Sequence, residues 1–345
     1  MHVRVPLALA VLAAACASPS PPAPPPAAPP TAVIPPAAPA TVETTPATAP
    51  LPETPQERPR LAAAPPSAAL PPQPHTAKDG DGQWRVLPSR GDTPLYVTTL
   101  HVHPLQSGVT VTVVAIDLER STVHLVAGTR EPESEAAIPE TKRTGLVPAA
   151  DHAALLAVMN GGWKAHHGHF GMRIGDDVFL PPKEGGCAVA LDHGRVVVAP
   201  WNDIAAKEKD FEAYRQTPGC LVLGSKPHED LMKDPMSRKW GATDKGGVEI
   251  RRSALGVDAS GRYALFGLGE NTTARGMADG MVAAGAATAA ELDVNWSYTR
   301  FFVYGADATG KVVITKALVP KIDVKPNSYV ERSSERDFFY VAARP

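Results

Sequence analysis

The chain has 345 residues, with 34 Lys+Arg against 36 Asp+Glu, a formal net charge of -2 and 37 prolines, most of them before residue 75. Charge this close to balance leaves no electrostatic footprint for nucleic acid. The proline bias separates a non-globular N-terminal part from a folded remainder.

Residues 1–16 carry Arg4, the apolar run "VPLALAVLAAA" and then Cys16, the pattern of a secretory leader. The run is too short to span a bilayer. Cys16 directly after "LAAA" resembles a bacterial lipobox, which makes Cys16 the expected lipidation site, with ordinary leader cleavage as the alternative. Residues 17–81 are dominated by proline, alanine and threonine and lack the large apolar side chains that offset ordering entropy, so they read as a linker. At about 3.1 Å per residue, roughly 60 such residues reach on the order of 180 Å as an upper bound.

Residues 82–345 are expected to form one globular domain. β-type runs recur at 95–103, 109–117 and 121–128, then in "CAVALD", "RVVVAP", "EIRRSALGVD", "RYALFGL", "RFFVYG" and "KVVITKALV". His193-Gly194, Ser260-Gly261 and Thr309-Gly310 mark hairpin turns between them. Helices are expected at 148–157, 203–215 and 277–290. Strands in hairpins with helices inserted singly predict an α+β fold with a large mixed or antiparallel sheet. No G-x-G-x-x-G follows a first strand and no G-x-x-x-x-G-K-[ST] is present, so a nucleotide fold lacks support. Cys187 and Cys220 each follow a glycine and open an apolar run. In an exported protein they are candidates for a disulfide, with two separate buried thiols as the alternative.

Four stretches concentrate chemistry. In "NGGWKAHHGHFG" an apolar run ends at Asn160, Gly161 and Gly162, where bare backbone N–H groups suit close approach of a ligand. His166, His167 and His169 follow, but the H-x-x-x-H spacing of a helical metal pair is absent, so no metal is expected and His169 is the candidate acid or base. In "IRRSALG", Arg251 and Arg252 face opposite sides of a strand, and an inward arginine needs an anion, either a ligand or an internal carboxylate. "GLGENTTARG" supplies Glu270 as a further acid or base candidate. In "AAELDVNWS", Glu291 and Asp293 share a face if the segment is extended. Such carboxylates serve glycosyl chemistry or merely pair.

Taken in order, "AVMNGGW", "QTPGCLVLGSK", "RRSALGVDASGRYALFG" and "AAGAATAAELDVNWS" resemble the phosphodiester glycosidase family, from about residue 95 onward. The family's N-G-G-[FY] element is matched by Asn160, Gly161, Gly162 and Trp163, and its G-x-L-V-x-x-G element by Gly219, Leu221, Val222 and Gly224. Its R-[ST]-A-[IL]-G element is matched by Arg252, Ser253, Ala254, Leu255 and Gly256. Of its L-D-G-G-G-S element, Leu292, Asp293 and Ser297 are present, while Val294, Asn295 and Trp296 replace the glycines.

The resemblance implies an exported hydrolase of a glycosyl phosphodiester or glycosidic bond that needs no cofactor. Arg252 and a histidine such as His169 would hold phosphate, and Asp293 would stabilise charge at the anomeric carbon or activate water. Asn160, the 161–162 backbone, Trp163, Ser253, Asn295, Trp296 and Ser297 would line the sugar. The alternative is a non-catalytic glycan-binding surface lipoprotein that keeps Trp296 for stacking. Either reading places a monomer at the cell envelope, facing the periplasm or the exterior, anchored by lipid and partnered by carbohydrate.

Overall fold

A computed structural model describes residues 63–67, 69–134, 138–318, 322 and 324–345. Cys16, the leader and most of the linker lie outside the described residues. The fold is α+β, built largely of antiparallel sheet. An eight-stranded sheet runs, edge to edge, through Arg85–Leu87, Leu95–His101, Thr110–Asp117, Tyr263–Thr272, Ile250–Asp258, Ala286–Glu291, Cys220–Leu223 and Lys226–Pro227. A five-stranded sheet orders Val312–Ala317, Phe301–Ala306, Leu155–Asn160, Phe338–Ala343 and Ser121–Val126. A second five-stranded sheet orders Asp177–Leu180, Met172–Ile174, Ala213–Thr217, Cys187–Asp192 and Arg195–Pro200.

The three sheets share a core. Phe266, Leu255 and Ala290 of the large sheet, Met159 and Phe339 of the first small sheet, and Val189 of the second belong to one buried cluster. Leu155–Asn160 is buried at every position because it is a central strand covered on both faces: Met159 enters the shared core, while Val158 joins a separate cluster with Phe302 and Phe338. This explains its unbroken apolar run. Cys187 and Cys220 are disulfide-bonded, joining one small sheet to the large one.

The three hairpins form at the turns read from sequence, with Gly194, Gly261 and Gly310 all at positive φ. The helix expectations fare differently. Residues 148–157 give one short 3-10 turn, Ala149–Asp151, before the strand Leu155–Asn160. Residues 203–215 divide into Trp201–Ile204, a 3-10 turn and the strand Ala213–Thr217. The third helix spans Ala274–Ala283, and its predicted continuation is the strand Ala286–Glu291. That helix starts with Thr273 Oγ1 accepting from the Gly276 N–H, and buries Met277 and Met281 against the large sheet. The approach needs glycine at 267, where a Cβ would sit 2.5 Å from the Met281 sulfur.

Contacts to the domain begin before residue 82. Tyr263 Oη donates to the Ala64 carbonyl, Ala69 N–H to the Gly82 carbonyl, and Asp81 pairs with His101 Nδ1 at 2.8 Å. Among the described residues, no helix is long and apolar enough to cross a membrane.

Candidate functional site

Several strand ends converge on one junction. Leu155–Asn160 runs out into Asn160-Gly161-Gly162-Trp163, Ala286–Glu291 runs out into Leu292-Asp293, and Phe338–Ala343 is entered through Arg336-Asp337. Ser253 lies across from them in Ile250–Asp258. Asn160 Nδ2 donates to Ser253 Oγ at 2.9 Å, and Ser253 Oγ donates to the Asp293 carbonyl at 3.0 Å. The Asp293 N–H reaches the Gly161 carbonyl at 3.1 Å, and Trp163 Nε1 reaches the Leu292 carbonyl at 2.8 Å. Asn160, Gly161, Gly162, Trp163, Ser253 and Asp293 are thus brought together.

Most of this set is turned inward. The Gly161 N–H donates to the Asp337 carbonyl and the Gly162 N–H to Asp337 Oδ2 at 2.8 Å, so neither amide is left for a ligand. Glycine is required there by the protein's own packing. A Cβ at 161 would meet Asp337 Oδ2 at 2.3 Å, and one at 162 would meet the Arg215 guanidinium carbon at 2.6 Å. Arg215 and Asp337 form an ion pair at 2.9 Å in which both side chains are fully buried.

Arg252 is committed within the fold instead of presenting its guanidinium to a phosphate. Its Nε donates to the Thr272 carbonyl, Nη1 to the Trp240 carbonyl and Glu291 Oε1, and Nη2 to the Gly241 and Val248 carbonyls. A guanidinium has five N–H donors, and all five are occupied within the fold. The internal carboxylate left open by the sequence is Glu291, 2.6 Å away and likewise fully buried. Burial pushes the Glu291 carboxyl up to about 7 against the opposing pull of Arg252.

Asp293 is buried in the junction. Its Oδ1 accepts the Asn295 N–H at 2.9 Å and its Oδ2 is held by Arg336 Nη2. Burial raises its proton affinity, opposed by Arg336 and the Asn295 amide. The Arg336 guanidinium lies 4.3 Å from the Tyr298 ring centroid, and its Nε has no hydrogen-bond partner among the described residues. Tyr298 Oη donates to the Asp337 carbonyl, and burial keeps this phenol protonated far above neutrality.

Arg336, Lys164, Asn295, Ser297, Arg300 and Arg332 line a cleft of about 360 Å³. Asn295 Oδ1 accepts from the N–H and Oγ of Ser297, fixing the loop that forms one wall. Trp296 on that loop is 67% exposed, with the Arg251 guanidinium 5.6 Å from its ring centroid.

Two candidates fall elsewhere. Glu270 pairs with Arg251 at 2.5 Å, the arginine that faces the Trp296 ring, and it is not among the residues lining the cleft. His169 adopts φ 49° and lines a separate depression with Glu133, His166 and Pro181. His167 is the histidine whose charge is coupled to Asp293: burial and the neighbouring His166 lower its proton affinity, and Asp293 raises it. Among the described residues, no group of three or more His, Cys, Asp or Glu side chains is placed to hold a metal ion. Arg215, Tyr298, Arg336 and Asp337 were not singled out by sequence. The one available signal was "RD" directly before the apolar run "FFYVAA".

No protein-family model and no curated protein matches the chain. Among solved structures it is similar to the catalytic domain of zebrafish N-acetylglucosamine-1-phosphodiester alpha-N-acetylglucosaminidase, auto-inhibited by its pro-peptide. That match has 12% identity over 76% of this chain and 88% of the other, with a TM-score of 0.44. It is also similar to a hypothetical protein from Synechocystis, at 12% identity over 72% of this chain and 62% of the other, with a TM-score of 0.37. A third similarity is to an exported protein from Burkholderia pseudomallei, at 13% identity over 69% and 74% of the two chains, with a TM-score of 0.32. Likeness this distant leaves the chemistry to be argued from the residues themselves.

Proposed function

We propose that the domain hydrolyses a glycosyl phosphodiester, or a glycosidic bond beside a negative charge, in a glycan of the cell envelope. The observation that carries this reading is the buried Asp293–Arg336 pair, whose arginine lines a cleft together with Lys164, Arg300 and Arg332. A phosphate monoester is an acidic leaving group, so its departure needs cationic stabilisation more than protonation. Arg336 supplies that charge from the protein side. Binding of the substrate anion to Arg336 loosens its hold on Asp293, whose carboxylate then stabilises positive charge at the anomeric carbon or activates water. Arg336 thereby takes the phosphate-holding role expected of Arg252, whose donors have partners inside the fold. The catalytic domain is exported and tethered through Cys16, with residues 17 to about 62 as the spacer.

The test is release of free sugar from a sugar 1-phosphodiester by wild type and Asp293→Asn. A rate at least about 100-fold lower in the variant is expected from loss of a charged group acting on the transition state. Equal rates would remove Asp293 from the chemistry. If wild type binds glycan but turns nothing over, the non-catalytic reading holds. Two observations favour that second reading: the exposed Trp296 ring, and Asp293 oxygens that both have protein partners.

A further inference from the structure

The cleft separates its cations into two ranks. Arg336 is buried at the floor and tied to Asp293, and Arg300 is partly committed, donating to the Tyr298 and Ser297 carbonyls and to Tyr329 Oη. Lys164 and Arg332 stand at the rim, and among the described residues neither ammonium nor guanidinium makes a hydrogen bond or ion pair. The acidic residue lining the cleft, Glu335, is 70% exposed and faces Arg130 at 3.6 Å. Four cations therefore border a small concave space whose one lining carboxylate faces a cation outside it. Arg332 is also held in place by its backbone. Its N–H donates to the Asn327 carbonyl and its carbonyl accepts from Tyr329 N–H, a residue at φ 65°. The loop thus projects the guanidinium from a fixed base instead of a frayed terminus.

We infer that Lys164 and Arg332 are specificity-determining residues that read a second negative charge on the glycan, so that the ligand is polyanionic. This rests on the cleft being the substrate site but not on turnover. One anion at Arg336 would leave both rim cations unmatched. A chain carrying a carboxylate or phosphate on the next unit would engage them by charge-assisted hydrogen bonds, bidentate in the case of arginine. The volume of about 360 Å³ is at the low end for ligand pockets, which suits a short segment of chain.

The experiment titrates the full chain with trigalacturonate, with a short glycerol-phosphate oligomer and with neutral maltotriose, separating ring carboxylate from phosphate. Either anionic probe should bind about tenfold or more tightly than maltotriose, in a salt-sensitive manner. Lys164→Ala and Arg332→Ala should each weaken the favoured anionic probe by about five- to tenfold, and Arg332→Lys should restore part of the loss. Unchanged thermal unfolding in the variants assigns the loss to recognition. Equal affinity for all three probes, or alanine variants that bind anions like wild type, overturns the inference. A chain that binds anions through these residues yet releases no sugar keeps it while sinking the hydrolase reading.

Discussion

At the scale of single residues, the junction distinguishes side chains that build the site from those that can act in it. Arg252 and Glu291 belong to the first kind. With all five donors of Arg252 engaged, Arg252→Ala leaves Glu291 and four strand and loop carbonyls without this partner. Removing one member of such a pair costs about 3–5 kcal/mol. Urea unfolding should show a loss of that size, and a fully stable Arg252→Ala protein would refute the structural role. Glu291 adds a pH dependence. Its folded-state carboxyl titrates near 7 against an unfolded value of 4.5, so the native state holds the proton that the unfolded chain has released. The associated stability is fully present below 4.5 and is lost as pH rises through about 7. Unfolding free energies between pH 5 and pH 8 should therefore decline in wild type, and Glu291→Gln should lack that component of the slope. Identical slopes would show that Glu291 stays ionised beside Arg252.

At the scale of elements, local turn chemistry was legible and long-range pairing was not. His193-Gly194 and Ser260-Gly261 mark hairpins because left-handed backbone there is affordable only to a few residues, a requirement visible within two positions. The segment "AATAAE" carries helix-forming alanines, yet it forms a strand between Ile250–Asp258 and Cys220–Leu223. There the strands approach closely: a Cβ on Gly256 would sit 3.0 Å from the Ala289 Cβ, so a side chain larger than alanine at 289 would crowd the pairing further. Tertiary packing outweighs propensity in that case. The site divides the same way. Asn160, Ser253 and Asp293 stood in recognisable local motifs, whereas Arg215, Arg336 and Asp337 meet them only because strands remote in sequence pair side by side. The Cys187–Cys220 link belongs to this scale too, closing a separation of 33 residues between two sheets. Chain entropy for such a loop is worth about 4 kcal/mol, an upper figure when the reduced chain keeps structure. Cys187→Ser/Cys220→Ser should unfold at lower guanidinium concentration by an equivalent of about 2–4 kcal/mol and become insensitive to reductant. An unaltered midpoint would mean that the shared core alone fixes the two sheets.

For the whole molecule, the domain and the chain preceding it make separable demands. The fold carries its own core through three sheets and a disulfide, and the proposed chemistry is assigned to one cleft of that domain. In the proposed arrangement the proline-rich stretch from 17 to about 62 would contribute reach, on the order of 140 Å as an upper bound if it were extended at about 3.1 Å per residue. A lipid on Cys16 would convert that reach into a restricted search volume and raise the effective concentration of the cleft against envelope glycan, without altering any contact in the site. Cys16→Ser should then move the protein from the membrane fraction to the soluble exported fraction. Its turnover of a small soluble sugar 1-phosphodiester should remain that of wild type, while processing of intact envelope material falls. Incorporation of labelled fatty acid into wild type but not into Cys16→Ser would identify the attachment directly. Membrane retention of the unlabelled variant would instead place the anchor in another part of the chain.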